Sequence, residues 1–465
     1  VIAPVPTEDF SALPLAPALL QNLNDLGYTS MTPIQAAALP TILAGRDLIG
    51  QAKTGSGKTA TFGLPLLQAL KPSHFAVQAL VLCPTRELAD QVAGELRRLA
   101  RAIDNVKILT LCGGVAIGPQ IGSLAHGAHI VVGTPGRIGD HLRKGTLTLD
   151  AVRTFVLDEA DRMLEMGFRD QLEAISAKLP SQRQSLLFSA TFPDEIRTLA
   201  ERTMRQPEHV TVDATHGEAS IEQHFHLVED DGHRMRAVSL LLLHHRPVSA
   251  LVFCNMKTDV DAVHADLRAR GFAALALHGD LDQRARDQAL VRFANRSASV
   301  LVCTDVAARG IDIDDLELVI NYQISHDRDV HIHRIGRTGR AGSSGCAASL
   351  FNAREQHRVD RLPEFASDAI AAEPLPSDDI LNTSAAPPPM RCLEIAGGRK
   401  QKVRPGDIVG ALTGDAGIAG DQIGKITLGT DNAWVAVQRD VAKQALAKLS
   451  TGKIKGRNFR VRLID

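Results

Sequence analysis

Ala52-Lys53-Thr54-Gly55-Ser56-Gly57-Lys58-Thr59 follows the short apolar run Asp47-Leu48-Ile49-Gly50 and precedes a helical pattern that begins near Ala60. This is the strand–loop–helix setting of a phosphate-binding loop. Gly55 and Gly57 let the backbone turn its N–H groups inward around phosphate oxygens. The helix that follows directs the positive end of its dipole at the same anion. Lys58 is spaced to reach the β- and γ-phosphates, and the Thr59 hydroxyl is placed to ligate Mg2+. The first position of the G-x-x-x-x-G-K-[ST] pattern is Ala52 rather than glycine. Taken alone, the loop says only that a nucleoside triphosphate is bound, through Thr54, Gly55, Ser56, Gly57, Lys58 and Thr59.

Outward from this loop, short apolar runs alternate with helical patterns from Asp47 to about Pro207: Ala79–Leu82, Lys107–Leu111, His129–Val132, Thr154–Leu157 and Ser185–Phe188. Each is rich in Val, Ile, Leu or Phe and runs into a polar loop, the pattern of a parallel sheet covered by helices. In such sheets the chemistry sits beyond the carboxyl ends of the strands. One of those loops is Asp158-Glu159-Ala160-Asp161. A carboxylate there, across from Lys58, suits Mg2+, and the neighbouring Glu159 suits an attacking water; the competing reading is an acidic helix start. The alternation resumes near residue 222, with runs at Gln223–Leu227, Ala250–Phe253, Ala274–Leu277, Val300–Val302, Val319–Asn321 and Ala347–Leu350. This second α/β unit lacks a phosphate loop of its own. It does carry His333-Arg334-Ile335-Gly336-Arg337-Thr338-Gly339-Arg340, whose Arg337 and Arg340 can meet charge developing on a γ-phosphate only if the two units close on each other. His331 and His333 have no clustered cysteines or carboxylates that would make them metal ligands.

The chain therefore divides into a first α/β domain over 1–212, a linker over 213–221, a second over 222–366, a tether over 367–389 that ends in Pro387-Pro388-Pro389, and a C-terminal module over 390–465. The module alternates strand and helix in the order βαββαβ, the layout of small RNA-binding domains. Its sheet lacks the usual base-stacking aromatics; Trp434 and Phe459 are the available rings, and core packing explains either. The net charge of −1 conceals an asymmetry: 14 Lys and Arg against 7 Asp and Glu in residues 390–465, but 38 against 46 in the rest. A basic appendage on an acidic body points to a polyanion partner. Six scattered cysteines without a C-x-x-C pair fit buried free thiols in a reducing cytoplasm. No apolar run approaches the roughly 20 residues of a membrane span. Val1–Phe10 carries acids and prolines in place of a secretory signal.

Together these segments resemble the DEAD-box family of RNA helicases over about residues 8–365. The resemblance rests on Met31-Thr32-Pro33-Ile34-Gln35, the loop Ala52–Thr59 (in which the family's first residue is alanine), Asp158–Asp161, Ser189-Ala190-Thr191, Thr304-Asp305-Val306-Ala307-Ala308-Arg309-Gly310-Ile311-Asp312 and His333–Arg340. It implies two tandem RecA-like domains, followed here by a small RRM-like α+β domain, and an RNA-stimulated ATPase that uses ATP and Mg2+. By the same resemblance, Phe10 would stack on adenine, Gln35 would read its edge and Asp312 would touch the ribose. Lys58, Asp158, Glu159, Arg337 and Arg340 would carry hydrolysis, with Thr59 and Asp158 on the metal. Arg86, Gly114, Thr134 and Arg137 in the first unit, and Gln283, Arg286 and Thr304 in the second, would line the RNA backbone. Ser189, Thr191 and His333 would couple ATP state to RNA binding. Residues 390–465, through Pro405–Leu412 and Gly424-Lys425-Ile426, resemble the rRNA-binding domain of a bacterial branch of the family. That implies a large-subunit rRNA hairpin as partner within a pre-ribosomal particle, phosphate contacts from Lys453, Lys455 and Arg457, and a monomeric cytoplasmic protein. An ATP-gated RNA clamp and a general RNA chaperone are the alternatives. Gln35 in its motif and Asp161 closing its own speak against a DNA translocase.

Overall fold

Two parallel sheets and one antiparallel sheet carry the chain in the computed structural model, which describes residues 9–52, 55–212, 221–308, 316–339, 345–362, 371–414 and 417–464. The first sheet has seven strands in the order Ile108–Leu111, Ile130–Gly133, Ala79–Leu82, Thr154–Asp158, Gln184–Ser189, Leu48–Gln51, Glu208–Thr211, all parallel. The inner strands are buried on both faces. Hence they read as unbroken apolar runs without alternation. The edge strand Glu208–Thr211 is half-exposed and lacks such a run, so it leaves no mark in the sequence.

The second sheet has six parallel strands, Ala274–Leu277, Val300–Thr304, Ala250–Cys254, Leu318–Asn321, Gly345–Phe351 and Ile221–Leu227 in spatial order. The third is antiparallel, Ile423–Leu428, Ala433–Gln438, Met390–Ile395 and Val461–Ile464, with helices Pro405–Thr413 and Ala442–Thr451 on one face. Leu393, Ile395, Val435 and Val437 alternate onto that face and pack on Ile408, Leu412, Ala445 and Leu449. The expected α/β plus α+β architecture is therefore the observed one. The chain forms two compact units that divide at residue 216, and the second and third sheets share the later unit.

Two local expectations change. Residues 371–389, expected as a tether, lie against the second sheet's body. Glu373 N–H donates to the Phe225 carbonyl (2.7 Å), His224 pairs with the Glu373 carboxylate at 2.9 Å, and Leu375, Ile380, Leu381 and Ala385 cover its core. Apolar residues spaced through this Pro-rich stretch turn it into a strap. The helix expected over Glu355–Phe365 is described only as Gln356–Val359, and 363–370 lie outside the described residues. The expected linker also falls outside them, except for Ile221. All six cysteines are free, five of them buried. No described helix is long and apolar enough to cross a membrane.

Candidate ATP and RNA sites

The phosphate loop joins the strand Leu48–Gln51 to the helix Lys58–Gln68, and Gly57 caps that helix with φ of 93°. A Cβ there would also stand 2.6 Å from the Gln35 amide nitrogen. Both facts demand glycine. Gln35 is buried at the start of the helix Pro33–Leu43 and ties that helix to the loop. Its Oε1 accepts from Thr32 N–H (2.8 Å), its Nε2 donates to the Gly57 carbonyl (3.2 Å), and Thr32 Oγ1 donates to the Ser56 carbonyl (2.7 Å). Lys58 Nζ donates to the Ala52 carbonyl at 3.0 Å. Gly55 and Thr59 stand beside it, while Thr54 lies outside the described residues.

Asp158 ends the strand two places from the phosphate-loop strand in the sheet order. Its carboxyl is pushed up to about 7 by burial, with Lys58 pulling the other way and Glu159 adding to the rise. Its Oδ1 is buried without a hydrogen-bond partner. A buried, unpartnered carboxylate oxygen within the influence of Lys58 suits a hard cation, so Asp158 fits Mg2+, and Thr59 follows Lys58 on the phosphate-loop helix. Glu159 follows in the left-handed region, φ 54°, and pairs with Arg162 at 3.1 Å, both buried.

Asp161 is the hub that sequence reasoning undervalued. Its Oδ2 accepts from Ala190 N–H and Thr191 N–H (3.0 Å each) and from Thr191 Oγ1 (3.1 Å), while Oδ1 accepts from Arg162 N–H (2.9 Å). Burial raises its pKa, but hydrogen bonds from Thr191 and Ser189, the Lys58 charge and the Arg162 N–H outweigh it and hold the carboxyl below its usual range. Ser189 ends the adjacent strand and lies next to the phosphate-loop strand. The segment Ser189–Thr191 thus sits between the triphosphate loop and Asp158–Asp161, locked to the latter.

On the other side of Asp158 the strands ending at Leu82, Gly133 and Leu111 follow in order. Arg86, Thr134 and Gly114 stand beyond their carboxyl ends. Arg86 Nε and Nη1 are buried without hydrogen-bond partners, and a Cβ on Gly114 (φ 75°) would collide with that guanidinium. Arg137 donates to Gln120 Oε1 and to the Val115 carbonyl, both at 2.8 Å, and Gln120 also meets His141 at 3.1 Å. Gln120 was not singled out from the sequence, because a helical glutamine carries no signal by itself. Phe10, expected to stack on adenine, is 3% exposed and sits edge-on to Tyr28 with ring centroids 6.1 Å apart. The ring packs with the first domain's core.

In the second unit, Gln283 and Arg286 open the helix Gln283–Ala294, and the strand before that helix, Ala274–Leu277, pairs with the strand that Thr304 ends. Gln283 donates to Asp287 (2.7 Å). Arg334, 1% exposed, anchors the motif helix: Nε and Nη2 grip Asp305 at 2.6 and 2.7 Å, Nη1 donates to the Gln323 carbonyl (2.8 Å), and Nη2 also reaches Asn255 Oδ1 (2.7 Å). Arg337 is buried just beyond it, His333 is half-buried, and Arg340 and Asp312 lie outside the described residues. His331 stacks on Phe225, and burial, followed by Arg334, drives its pKa down to about 4. Among the described residues, no group of three metal-ligating side chains occurs.

In the C-terminal domain, Lys453, Lys455 and Arg457 are exposed on a turn pinned by buried Ile454, with Lys455 Nζ donating to the Lys402 carbonyl (3.0 Å). Trp434 is 7% exposed against Cys392, Ile464 and Val291, and Phe459 packs into the domain core. Neither offers a base-stacking platform.

The family profile for DEAD/DEAH box helicases matches residues 32–199, and that for the helicase conserved C-terminal domain matches 233–342. The ATP-dependent RNA helicase DbpA of Escherichia coli is 53% identical over 97% of this chain and 98% of its own length. The chain belongs to the DEAD-box family of ATP-dependent RNA helicases. Its members are RNA-stimulated ATPases, and this one is of DbpA type, since the DbpA RNA binding domain profile matches residues 392–463. The DEAD-box ATP-dependent RNA helicase CshA of Geobacillus kaustophilus is 44% identical over 76% of each chain. Among solved structures, S. cerevisiae Dbp5 bound to RNA and ADP BeF3 superposes with a TM-score of 0.71 at 31% identity, covering 80% of this chain and 96% of that one.

Proposed function

We propose that this helicase hydrolyses ATP to remodel, or locally unwind, large-subunit (23S) rRNA during ribosome assembly in the cytoplasm, acting as a monomer on a pre-ribosomal particle. The observation that carries this reading is the DbpA-type RNA-binding domain at residues 392–463, joined in register to a complete helicase core. Lys453, Lys455 and Arg457 hold the phosphates of an rRNA hairpin, and the core engages the adjoining duplex or single strand. Arg86, Gly114, Thr134, Arg137, Gln283, Arg286 and Thr304 touch RNA backbone, which fixes position without reading sequence.

In the core, Lys58 and the N–H groups of Thr54–Thr59 hold the triphosphate. Thr59 and Asp158 hold Mg2+, which when bound neutralises charge on the phosphates. Glu159 orients the attacking water and accepts its proton. Gln35 reads adenine and Asp312 the ribose. Arg337 and Arg340 reach the γ-phosphate when the two helicase domains close, and His333 with Ser189 and Thr191 links that closure to RNA.

Steady-state ATPase activity with no RNA, with a generic RNA and with a 23S fragment spanning the peptidyl-transferase region tests the assignment. Strong stimulation by the fragment alone is expected. Equal stimulation by both RNAs would reduce the C-terminal domain to a general RNA anchor and favour the unspecific chaperone.

A further inference from the structure

Four side chains meet in the first unit beyond the strands Ile108–Leu111 and Ile130–Gly133, which are neighbours in the sheet. Gln120 comes from the helix Gly118–Ala125, Arg137 and His141 from the helix Pro135–Arg143, and Thr146 from the loop after it. Gln120 Nε2 donates to the Cys112 carbonyl (3.0 Å). Its Oε1 accepts from Arg137 Nη1 (2.8 Å) and meets His141 Nε2 at 3.1 Å. His141 Nδ1 meets Thr146 Oγ1 at 2.8 Å, and the ring is fully buried. Arg137 Nη2 donates to the Val115 carbonyl (2.8 Å).

These partners leave one assignment of the hydrogens. A carbonyl only accepts and a guanidinium only donates, so the Gln120 amide nitrogen faces Cys112 and its oxygen faces Arg137. That oxygen also faces His141 Nε2, which must then carry a hydrogen. In the neutral imidazole Nδ1 is bare and accepts from the Thr146 hydroxyl. Burial, and after it the Arg137 guanidinium, lower the His141 pKa; Asp140 works against them and Lys144 with them. His141 is thus an uncharged donor that shares one amide oxygen with a cation. The partners of Arg137 Nη1 and Nη2 are uncharged as well, so they orient the guanidinium without neutralising it. Asp140 lies 3.8 Å from Arg137 Nε and also pairs with Arg143.

We infer that Gln120 is a positioning residue for Arg137, holding the guanidinium in the orientation that meets an RNA phosphate, and that His141 secures Gln120 as a neutral Nε2–H donor. An arginine tied at two nitrogens before RNA arrives has less rotamer freedom to lose on binding, and its planar fork already faces one way. The same amide ties the loop after Ile108–Leu111, which carries Gly114, to the helix that follows Ile130–Gly133 and carries Arg137. Two loops of the RNA path are thereby held in one register. A glutamine suits this task because a single amide donates to one loop and accepts from the other; an apolar side chain of the same length does neither. The inference rests on the proposed RNA contact of Arg137 and not on the choice of rRNA.

The test measures ATP turnover of the full-length protein against a generic single-stranded RNA at several salt concentrations. Gln120→Met keeps the length of the side chain and removes its donor and acceptor. It should raise the RNA concentration for half-maximal stimulation about fivefold, with little change in kcat at saturating RNA. Gln120 is uncharged, so its loss flattens the salt dependence only by displacing a cation from phosphate. The slope should become shallower by about 0.7, the amount for one phosphate of a single strand. Arg137→Ala should give the same flattening, and adding Gln120→Met to it should cost no more than about twofold further. In protein labelled with 15N-histidine, His141 should show a hydrogen on Nε2 and a bare Nδ1 at neutral pH, and Gln120→Met should turn this single tautomer into a mixture. If Arg137→Ala leaves the slope and the half-saturation unchanged, the RNA contact of Arg137 falls and the positioning role with it. If Arg137→Ala flattens the slope while Gln120→Met weakens binding at an unchanged slope, or if the two losses add in the double variant, the contact stands and the positioning role is overturned. A hydrogen on Nδ1 of a neutral His141 overturns the part assigned to that residue.

Discussion

The two helicase domains solve one problem with charges of opposite sign. Each must hold motif loops firmly at the carboxyl ends of a parallel sheet. In the first, the Asp161 carboxylate gathers the N–H groups of Arg162, Ala190 and Thr191. In the second, the Arg334 guanidinium gathers Asp305, Asn255 and the Gln323 carbonyl. The neighbours of the two hubs differ more. Near Asp161 a carboxylate oxygen of Asp158 is buried and unpartnered. Arg334 itself is satisfied on all three nitrogens, and the unpartnered atoms near it are the ring nitrogens of His331, an imidazole that burial holds neutral. Buried polar groups left without partners are costly in a folded chain and mark places where a ligand completes the set. The comparison assigns ligand chemistry to the first domain and, on the proposed mechanism, the supply of a held cation to the second.

The most damaging break lies in the first domain. Lys58→Ala removes the ammonium that the proposed mechanism sets on the phosphates, and ATP turnover should disappear; substantial residual turnover would remove the phosphate loop from the mechanism. Arg337→Ala acts from the second domain. It should cost about 10³-fold in turnover while nucleotide affinity changes little, as expected of an arginine that meets charge only in the transition state. Equal losses in affinity and turnover would place Arg337 in ground-state binding and erase the contrast between the domains.

Asp161→Asn sharpens the comparison of hubs. Both carboxylate oxygens accept N–H donors, so an amide must point its own NH2 at a backbone N–H on one side or the other. A mismatch of this kind costs about 1–3 kcal/mol. ATP turnover should fall modestly, whereas RNA unwinding per ATP consumed should fall severalfold further, since Ser189–Thr191 loses its tie to Asp158–Asp161. Unwinding and turnover that decline in parallel would show that this tie carries no coupling.

Most of the architecture is legible from the chain because buried parallel strands write themselves as apolar runs, and the phosphate loop writes itself as glycines at fixed offsets. The strand Glu208–Thr211 is not legible, since an exposed edge needs no apolar run. The strap at 371–389 is misread for the opposite reason. Its prolines and acids look like a linker, and its few apolar residues acquire meaning only from the surface they cover. The hubs Arg334 and Gln120 escape because a long polar side chain has no signature until its distant partners are in place. The packing of Trp434 against Val291 requires two domains to be in contact and so belongs to no local pattern.

The smallest expected effect tests the unpartnered carboxylate itself. Burial holds Asp158 at about 7, well above its ordinary value near 3.8. A carboxyl whose pKa is higher in the folded chain than in the unfolded one favours folding where it is protonated. That contribution is complete below about pH 4 and is lost as pH rises through 7. Above that pH the nucleotide-free protein carries a buried charge with little to answer it except Lys58. Asp158→Asn replaces that charge with a neutral group of the same shape. In the absence of Mg2+ and nucleotide, it should raise the first domain's melting temperature by a few degrees at pH 8 and by less at pH 6. Added Mg2+ and nucleotide should then stabilise the unsubstituted protein increasingly from pH 6 to pH 8, because binding the cation requires the proton to leave. A substituted protein that melts lower at pH 8, or a Mg2+ effect independent of pH, would mean that Asp158 is already answered by a partner in the folded chain. The contrast between an unanswered carboxylate near the first hub and a neutral imidazole near the second would then fail at the residue on which it most depends.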